Sequence, residues 1–386
     1  MQPLGAPRVL HVVGAFLKQD VYLQLLKHLS VHVERQVVFV PGAGNLEHLR
    51  MSDWETDSVS VIGGTTVGRL SRPFLRARSL RGSREIRSNA RELGIDIVHS
   101  HMLFSDGMIG DRIAKELGVP HVVSVRNTDR HAQWRYRWSL RGRARNVAGR
   151  AASVIYLNPF YELWGRTALL TGDGCSHVIP NGIAPFWLQH QSRSLKPVGN
   201  RPRLLYVGDF SRNKNLPGLV RACSVLAERW DGVALRLVGA RPTDSSQVQY
   251  LKDIAHAEVR LEILPRTNSW ETLRDAYRWA NVVVLPSFHE TFGVALAEAL
   301  SQGRPVVCSR GEALSGYFSA DEGIVQADPQ STQSIAGAVE GALKVPASKL
   351  PKPAELSRIF GWKVIATRLA QIYNKAVVYS EGARRP

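Results

Sequence analysis

Two glutamates and a glycine lie close together in the segment 285–307, LPSFHETFGVALAEALSQGRPVV. A buried strand is predicted to end near Leu285, followed by a short loop and a helix. At a rise of about 1.5 Å per residue, a glutamate five residues into that helix lies about 7 Å along its axis. Amides at a helix start bind phosphate, and a carboxylate can accept hydrogen bonds from neighbouring sugar hydroxyls. We therefore predict a site for an anionic ligand with hydroxyl groups. Its predicted contacts are Glu290, the amides of Thr291, Phe292 and Gly293, and Glu298.

Short runs of β-branched residues alternate with longer helical patterns along most of the chain, which is typical of parallel α/β sheets. The predicted strands are 8–13, 36–40, 95–100, 120–125, 154–157, 177–179, Arg203–Val207, 234–238, Val282–Leu285 and 305–308. The predicted helices are 22–29, 69–93, 106–117, 216–229, 269–279, 293–302, 331–343 and 362–379. This rhythm indicates two α/β halves.

The segment 189–202 is polar, contains proline and glycine, and lacks periodicity, so we predict a linker there. The chain would then consist of an N-terminal domain, 1–188, a C-terminal domain, 203–360, and a closing helix, 361–380. For 386 residues, of which 44% are hydrophobic, two Rossmann-like domains facing a central cleft are the simplest organisation.

The glutamates occur in the pattern E-T-F-G-x-x-x-x-E-A, followed by G-x-P-V-V. This pattern resembles the donor-site signature of the family-4 retaining glycosyltransferases, which have the GT-B fold. The segments LYVGDFSRNKN (205–215), LRLVG (235–239) and IPNG (179–182) resemble further motifs of that family, in the expected order. In the first half, IVHSH (97–101) resembles the family's H-x-H strand end. The resemblance spans most of the chain and is most specific in its C-terminal half.

The resemblance implies that the donor substrate is a nucleoside diphosphate sugar and that no cofactor is needed. Glu298 would bind the ribose hydroxyls, and Glu290 would contact hydroxyls of the donor sugar. The amides of Phe292 and Gly293 would approach the sugar and diphosphate, and Lys214 would neutralise the diphosphate leaving group. Fixed cations and amides aimed at developing charge are usually the largest catalytic contribution, about 3 kcal/mol for one donor.

In the first domain, the resemblance implies that His101 reaches toward the sugar and that Gly14 lets its loop come close to the phosphates. His99 lies on the same strand face and is the more structural of the two histidines, although their roles could be exchanged. Taken without the motif, Lys214 is a common solvated lysine, and His101 is an ordinary strand-end histidine.

The sequence departs from the family pattern at two places. An arginine usually follows the glycine of the phosphate loop, whereas Gly208 is followed by Asp209. Either Asp209 turns away from the diphosphate, or Arg212 supplies the missing charge. Many relatives carry a histidine where this chain has Arg126, which could face a charged acceptor or anchor the structure.

No metal site is expected from the sequence. No D-x-D motif occurs, and three cysteines are too few and too scattered for a disulfide framework or a metal site. The resemblance implies a metal-free reaction that retains the anomeric configuration. No apolar run approaches the 18 to 20 residues or so of a membrane span, and no secretory signal is recognisable. We therefore expect a reduced, cytoplasmic protein.

The net charge of +17 is concentrated in two stretches, 69–91 and 126–150, each with eight arginines and one acid. The second stretch also contains Trp134 and Trp138. Arginines interleaved with aromatics suit an anionic membrane surface. We expect docking to the inner face of a membrane that carries a polyprenyl-phosphate-linked acceptor; a solvated basic helix with packed aromatics is the alternative.

The sequence as a whole predicts a retaining hexosyltransferase that acts on a saccharide or lipid-linked acceptor in surface polysaccharide biosynthesis. Nucleic acid is not an expected partner, because no recognition motif for it occurs. Two alternatives remain open: a non-catalytic protein that binds nucleic acid or lipid, which the charge and Asp209 would favour, and a GT-B nucleotide-sugar epimerase.

Overall fold

The computed structural model of the chain describes residues 5–18, 20–44, 58–65, 75–192 and 197–382, without the side chains of 18, 75–79 and 381–382. The chain forms two compact units. Unit 1 comprises Met1–Gly182 and Trp362–Pro386, and unit 2 comprises Ile183–Gly361. Arg69 and Arg72 of the first arginine stretch, and residues 193–196 of the predicted linker, lie outside the described residues.

The described part of unit 1 contains one sheet of seven parallel strands in the order β3-β2-β1-β4-β5-β6-β7. Its strands are β1 Arg8–Val12, β2 Arg35–Val40, β3 Val59–Gly63, β4 Ile97–Ser100, β5 His121–Val125, β6 Ser153–Tyr156 and β7 Ser176–Val178. The central strands are almost wholly buried, as parallel strands covered by helices on both faces must be.

Helices of unit 1 cover both faces of this sheet. They are α1 Asp20–Leu29, α2 Leu75–Glu92, α3 Ser105–Leu117, α4 Trp134–Tyr136, α5 Arg141–Arg150, α6 Pro159–Ala168 and α14 Trp362–Gly382. The helix α14 belongs to this unit because its apolar residues recur every three or four positions and form one stripe. Trp362, Ile365, Leu369 and Tyr373 of that stripe pack in one buried cluster with strand residues such as Ile97.

Unit 2, over its described residues, contains a sheet of six parallel strands in the order β10-β9-β8-β11-β12-β13. The strands are β8 Arg203–Val207, β9 Val233–Ala240, β10 Val259–Pro265, β11 Val282–Leu285, β12 Val306–Ser309 and β13 Ile324–Ala327. The helices are α7 Pro185–Gln189, α8 Leu216–Ala227, α9 Ser245–Asp253, α10 Trp270–Trp279, α11 Val294–Ser301, α12 Thr332–Leu343 and α13 Pro353–Phe360. Serine caps define two helix starts: Ser269 accepts from the amide of Thr272, and Ser331 accepts from that of Ser334.

The boundary between the units lies before the predicted linker. The chain passes from unit 1 to unit 2 after Gly182, so the segment 189–202 is part of unit 2. The short helix α7, which precedes this segment, packs in unit 2. Its Trp187 is fully buried there, with its ring centroid 5.4 Å from that of Tyr277. The predicted closing helix is α14, and it packs in unit 1.

The α/β class and the parallel sheets are confirmed. The prediction missed β3, β10 and β13, and helices such as α5, α6, α9 and α13. No helix in the described ranges has the length and apolar character required to cross a bilayer.

Candidate functional site

The strand order places β8 beside β11 in the middle of the sheet of unit 2, where the order of the strands reverses. Ligands of open α/β sheets bind beyond the carboxyl ends of strands at such a reversal. The loop 208–215 follows β8, and the loop 286–293 follows β11. These two loops carry Gly208, Arg212, Lys214 and residues 290–293 of the predicted donor contacts, whereas Glu298 lies in α11 and Gly14 lies in unit 1.

The two loops meet at an ion pair between Lys214 and Glu290. The Nζ atom of Lys214 lies 2.6 Å from Oε2 of Glu290, and the side chains are only 17% and 15% exposed. A second donor, the hydroxyl of Ser287, has its Oγ 3.5 Å from the same carboxylate oxygen. The structure thus brings together a cation and a carboxylate that lie 76 positions apart in the sequence.

Asn213, which the sequence analysis did not single out, joins the same loops. Its Nδ2 donates to the carbonyl of His289 at 2.8 Å, and its Oδ1 accepts from the amide of His289 at 3.2 Å. The amide of Phe288 donates to the carbonyl of Asn213 at 2.8 Å. These three hydrogen bonds fix the backbone that leads into Glu290.

Glu312 is a second residue that the sequence analysis missed. Its side chain is buried, and its Oε2 accepts from the amide of Glu290 at 2.8 Å. The amide of Ala313 donates to the carbonyl of Glu290 at 3.0 Å. Both backbone groups of Glu290 are therefore held from the turn after β12, while its side chain is paired with Lys214.

Gly293 forms the entry to α11. Its φ of +70° is left-handed, which an L side chain rarely adopts, and a Cβ there would meet the Cβ of Ala313 at 3.1 Å. Next to it, Phe292 is buried, with its ring 5.5 Å from that of Phe360. Thr291 is partly buried. The phenyl group therefore anchors the loop while the amides of Phe292 and Gly293 stand at the helix start.

Glu298 lies in the second turn of α11 and is partly buried. The hydroxyl of Tyr277 donates to its Oε2 at 2.8 Å. Burial raises the pKa of Glu298 to about 7, although the hydrogen bond from Tyr277 favours the ionised form. Tyr277 therefore orients a carboxyl group that changes charge close to neutral pH.

Asp209 turns toward its own loop. Its Oδ1 accepts from the amide of Ser211 at 2.8 Å. Burial raises the pKa of Asp209, but the hydrogen bonds from Ser211 and the charges of Lys214 and Arg241 together lower it below its usual range. Arg212 is exposed at the start of the short 3-10 turn that ends at Lys214.

The close approach of Gly208 explains the glycine at position 239, and the hydroxyl of Tyr206 constrains the residue type at position 208. A Cβ on Gly239, at the end of β9, would overlap the carbonyl oxygen of Gly208, and a Cβ on Gly208 would lie 2.6 Å from the hydroxyl of Tyr206. The phosphate-loop glycine of the sequence analysis therefore has a packing requirement of its own.

In unit 1, His101 lies in a buried cluster with His11 and His99. The ring centroids of His99 and His101 are 4.0 Å apart, and Nε2 of His101 lies 3.1 Å from Nδ1 of His11. Burial lowers the pKa of all three, that of His11 to about 3. The cluster is therefore neutral at physiological pH, and Nδ1 of His101 has no hydrogen-bond partner within the described ranges.

His99 is the structurally engaged member of this cluster. Its Nδ1 lies 2.6 Å from the hydroxyl of Tyr373, and its Nε2 lies 2.9 Å from Oγ of Ser124. One nitrogen from each of the three histidines lies within 4.8 Å of the others, a spacing that could hold a metal ion. Metal ligation by His99 would require breaking one of its two hydrogen bonds.

Gly14 is exposed after β1, and its amide donates to Oδ2 of Asp106 at 3.2 Å. Asp106 is buried at the start of α3, and its Oδ1 accepts from the hydroxyl of Ser105. Burial raises the pKa of Asp106 to about 7, against the effect of these two hydrogen bonds. The loop that Gly14 was predicted to bring close to the phosphates thus has its glycine amide bonded to a carboxyl group.

Arg126 follows β5 and is partly buried. Its guanidinium donates to the carbonyl of His101 and to Oδ1 of Asn181, both at 3.3 Å, and lies 5.3 Å from the ring centroid of Tyr22. The guanidinium thus joins the segments that follow β4, β5 and β7, and its contact with an acceptor stays a prediction.

The two tryptophans of the second arginine stretch differ in their surroundings. Trp134 packs edge-on against Trp164 at 5.4 Å and lies under Arg141 and Arg145. Trp138 is 75% exposed, and its neighbour Tyr136 is 73% exposed. Only Trp138 of the two predicted tryptophans therefore offers an exposed ring to a partner or a membrane.

Family comparisons agree with the geometry in both units. The family "Glycosyl transferases group 1" matches residues 189–358, and "Glycosyltransferase Family 4" matches residues 21–185. The chain belongs to these glycosyltransferases. The two matches divide close to the boundary at Gly182, so each falls almost entirely within one unit.

This transferase is 26% identical to the glycogen synthase of Mycobacterium tuberculosis over 316 residues, which is 75% of this chain and 70% of that protein. Sucrose-phosphate synthase from Thermosynechococcus elongatus matches 97% of this chain and 100% of its own, with a TM-score of 0.73 at 19% identity. HepE of Anabaena, solved in complex with UDP and glucose, matches 95% of this chain and 99% of its own, with a TM-score of 0.65 at 17% identity. The transferase has the GT-B fold.

Proposed function

We propose that this glycosyltransferase moves a hexose from a nucleoside diphosphate sugar to a saccharide or polyprenyl-phosphate-linked acceptor in surface polysaccharide biosynthesis. The observation that carries the proposal is the contact between Lys214 and Glu290 at the carboxyl edge of β8 and β11. A site that binds only a neutral sugar needs no lysine at this position. A departing diphosphate, by contrast, needs a cation that stabilises its negative charge.

The proposed chemistry begins with cleavage of the bond between the anomeric carbon and the diphosphate. Negative charge grows on the leaving diphosphate as this bond breaks. Lys214, the exposed guanidinium of Arg212 and the amides at the start of α11 would stabilise that charge. The carboxylate of Asp209 accepts a hydrogen bond from the amide of Ser211, so it is held by its own loop.

Two carboxyl groups would orient the donor. Glu290 would accept hydrogen bonds from hydroxyls of the hexose while Lys214 keeps its carboxylate in place. Glu298, oriented by Tyr277, would accept from the ribose hydroxyls. The complex of HepE with UDP and glucose makes a uridine-linked glucose the first donor to try.

The acceptor side and the stereochemistry rest on the family resemblance. We propose transfer with retention of configuration and without a metal ion or other cofactor. His101, with a buried Nδ1 that lacks a partner in the described ranges, and the loop at Gly14 are the proposed contributions of unit 1. Exposed Trp138, within an arginine-rich stretch, supports a location at the cytoplasmic face of a membrane.

Donor hydrolysis without acceptor, screened over a panel of nucleoside diphosphate sugars, tests the proposal. One donor should be hydrolysed in the presence of a chelator, and NMR of the first-formed sugar should show the anomer of the donor. Inversion would refute retention, and interconversion of the nucleotide sugar without release of the nucleoside diphosphate would favour an epimerase.

A further inference from the structure

A cavity of about 290 Å³ lies among the helices α2, α3 and α5 of unit 1. Met108 and Val147 give it an apolar floor, and Arg112, Arg143 and Arg150 contribute its charge. These helices pack on the flank of the sheet, whereas the loops with Gly14 and His101 follow strand ends. The cavity, hereafter the α2–α3–α5 pocket, is therefore separate from the predicted contacts of the donor.

Of the described residues that line the pocket, one is an acid, Asp111, and three are arginines, so their charges do not balance. Asp111 is occupied by Arg150, whose Nε and Nη2 donate to its two carboxylate oxygens at 3.0 and 2.7 Å. Arg112 and Arg143 have no ion pair with any acid in the described ranges. The pocket therefore carries an excess of two positive charges.

The guanidinium of Arg112 lacks a hydrogen-bond acceptor at one of its nitrogens. Its Nε is shielded from solvent and has no hydrogen-bond partner among the described residues. A shielded N–H without an acceptor costs free energy, and the cost is larger for a charged group. An anion in the pocket would offset the charges of Arg112 and Arg143 at the same time, and the burial of Nε leaves the terminal N–H groups of Arg112 as the donors to it.

We propose that the α2–α3–α5 pocket binds a phosphate group that is attached to a short carbon chain. Guanidinium groups bind phosphate oxygens through paired N–H donors, which explains two arginines without acidic partners in one cavity. The floor of Met108 and Val147 suits carbon atoms next to the phosphate. The volume is near the lower end of ligand pockets, about 300 Å³, and fits a glycerophosphate-sized group.

Titration calorimetry with sn-glycerol 3-phosphate tests the pocket, with the full-length protein and the variants Arg112→Gln and Arg143→Gln. Each variant should raise the Kd at least about tenfold, because each removes a charge-assisted hydrogen bond. The control is Arg91→Gln, an exposed arginine about 16 Å further along α2 than Leu80, which lines the pocket. It removes the same charge and should change the Kd less than about twofold.

Three further results are informative. Glycerol 3-phosphate should raise the thermal midpoint of the wild type but not that of Arg143→Gln. Donor hydrolysis should be unchanged in Arg143→Gln, so failure of the pocket and failure of the proposed function are distinguishable. Absence of binding to the wild type would overturn the proposal. An equal loss in all three variants would overturn it as well, in favour of general electrostatic attraction.

Flotation with vesicles of phosphatidylglycerol and phosphatidylcholine identifies the source of the phosphate. If the ligand is a lipid headgroup, Arg112→Gln and Arg143→Gln should lose flotation, Arg91→Gln should retain it, and glycerol 3-phosphate should compete. Equal flotation of all variants, together with arginine-dependent binding of glycerol 3-phosphate, supports the pocket with a soluble phosphorylated metabolite as its ligand.

Discussion

Lys214 Nζ lies 2.6 Å from Glu290 Oε2, so the carboxylate of the loop that leads into α11 contacts the cation of the loop that follows β8. We expect Lys214→Gln to lower kcat/KM for donor hydrolysis by about a hundredfold, because about 3 kcal/mol of charge stabilisation is lost. Glu290→Gln should lower it to a similar extent. The double variant should lose little more than either single one, because the two groups act as a unit.

The control for this series is Lys252→Gln, which removes an exposed lysine from α9. It should retain full activity, and circular dichroism should show that all variants are folded. Wild-type turnover in both Lys214→Gln and Glu290→Gln would refute the assignment of these residues.

Gly293→Ala should lower stability by about 1 to 2 kcal/mol, because its φ of +70° is costly for alanine. Donor affinity should fall as well, since relief of this strain moves the amides at the start of α11. Denaturant unfolding and calorimetric titration with a nucleoside diphosphate measure the two effects. Gly337→Ala is the matched control: Gly337 lies inside α12 with open space around its Cβ position, so alanine should stabilise the protein by up to about 1 kcal/mol.

Glu312 should act on the reaction only through the backbone of Glu290. Glu312→Ala removes the acceptor of that amide and should lower kcat about tenfold, since a hydrogen bond to a charged group contributes about 1.5 to 3 kcal/mol. Glu312→Gln keeps an acceptor oxygen and should recover most of the loss. Equal activity of the alanine variant and the wild type in steady-state kinetics would contradict a positioning role.

The buried carboxyl group of Asp106 should make the free energy of unfolding depend on pH. Its pKa is raised to about 7 when folded, against an ordinary value near 4, so the folded state binds the extra proton. The stability due to this group is present below about pH 4 and is lost as the pH rises toward 7. Asp106→Asn should therefore gain stability relative to the wild type across this window, by at most about 1.4 kcal/mol per pH unit.

Urea unfolding at several pH values between 4 and 8 measures this difference for Asp106→Asn. Asp253→Asn, at an exposed position of α9, should show a difference from the wild type that does not change with pH. A pH-independent difference for Asp106→Asn as well would show that the carboxyl group is not desolvated in solution.

Substitutions of Trp134 and Trp138 should have different effects, the first on protein stability and the second on membrane binding. Trp134→Ala removes a ring that contacts Trp164 and should destabilise the protein by about 3 kcal/mol. Trp138→Ala should leave stability within about 0.5 kcal/mol, because the ring is 75% exposed, but it should weaken binding to anionic vesicles in flotation. If Trp138→Ala floats with vesicles as the wild type does, the exposed ring of Trp138 no longer supports a membrane location.

The sequence predicts the central strands well because they are short, buried and β-branched. The bounds of β8 and β11 agree with the structure residue for residue. The strand β10 was missed because it lies at the edge of its sheet, where charged residues such as Arg260 and Glu262 interrupt the apolar pattern. The placement of α14 in unit 1 depends on contacts with β1 and β4, which lie hundreds of positions away.

The candidate site is predicted only where a residue belongs to a motif. Glu290, Gly293 and Lys214 have such a context, and the structure brings Glu290 and Lys214 into contact. Asn213 bonds to the backbone of a residue 76 positions away, and Glu312 bonds to the backbone of a residue 22 positions away. A local sequence pattern cannot predict such hydrogen bonds. The burial of His101 beside His11 likewise depends on the pairing of β1 with β4.

A crystal structure with the nucleoside diphosphate of the hydrolysed donor is the most direct test of the central claim. The account predicts a diphosphate bonded to Lys214 and to the amides of Phe292 and Gly293, with the ribose hydroxyls on Glu298. A nucleotide bound away from the loops that follow β8 and β11, with Lys214 and Glu290 still paired and not in contact with it, would contradict it.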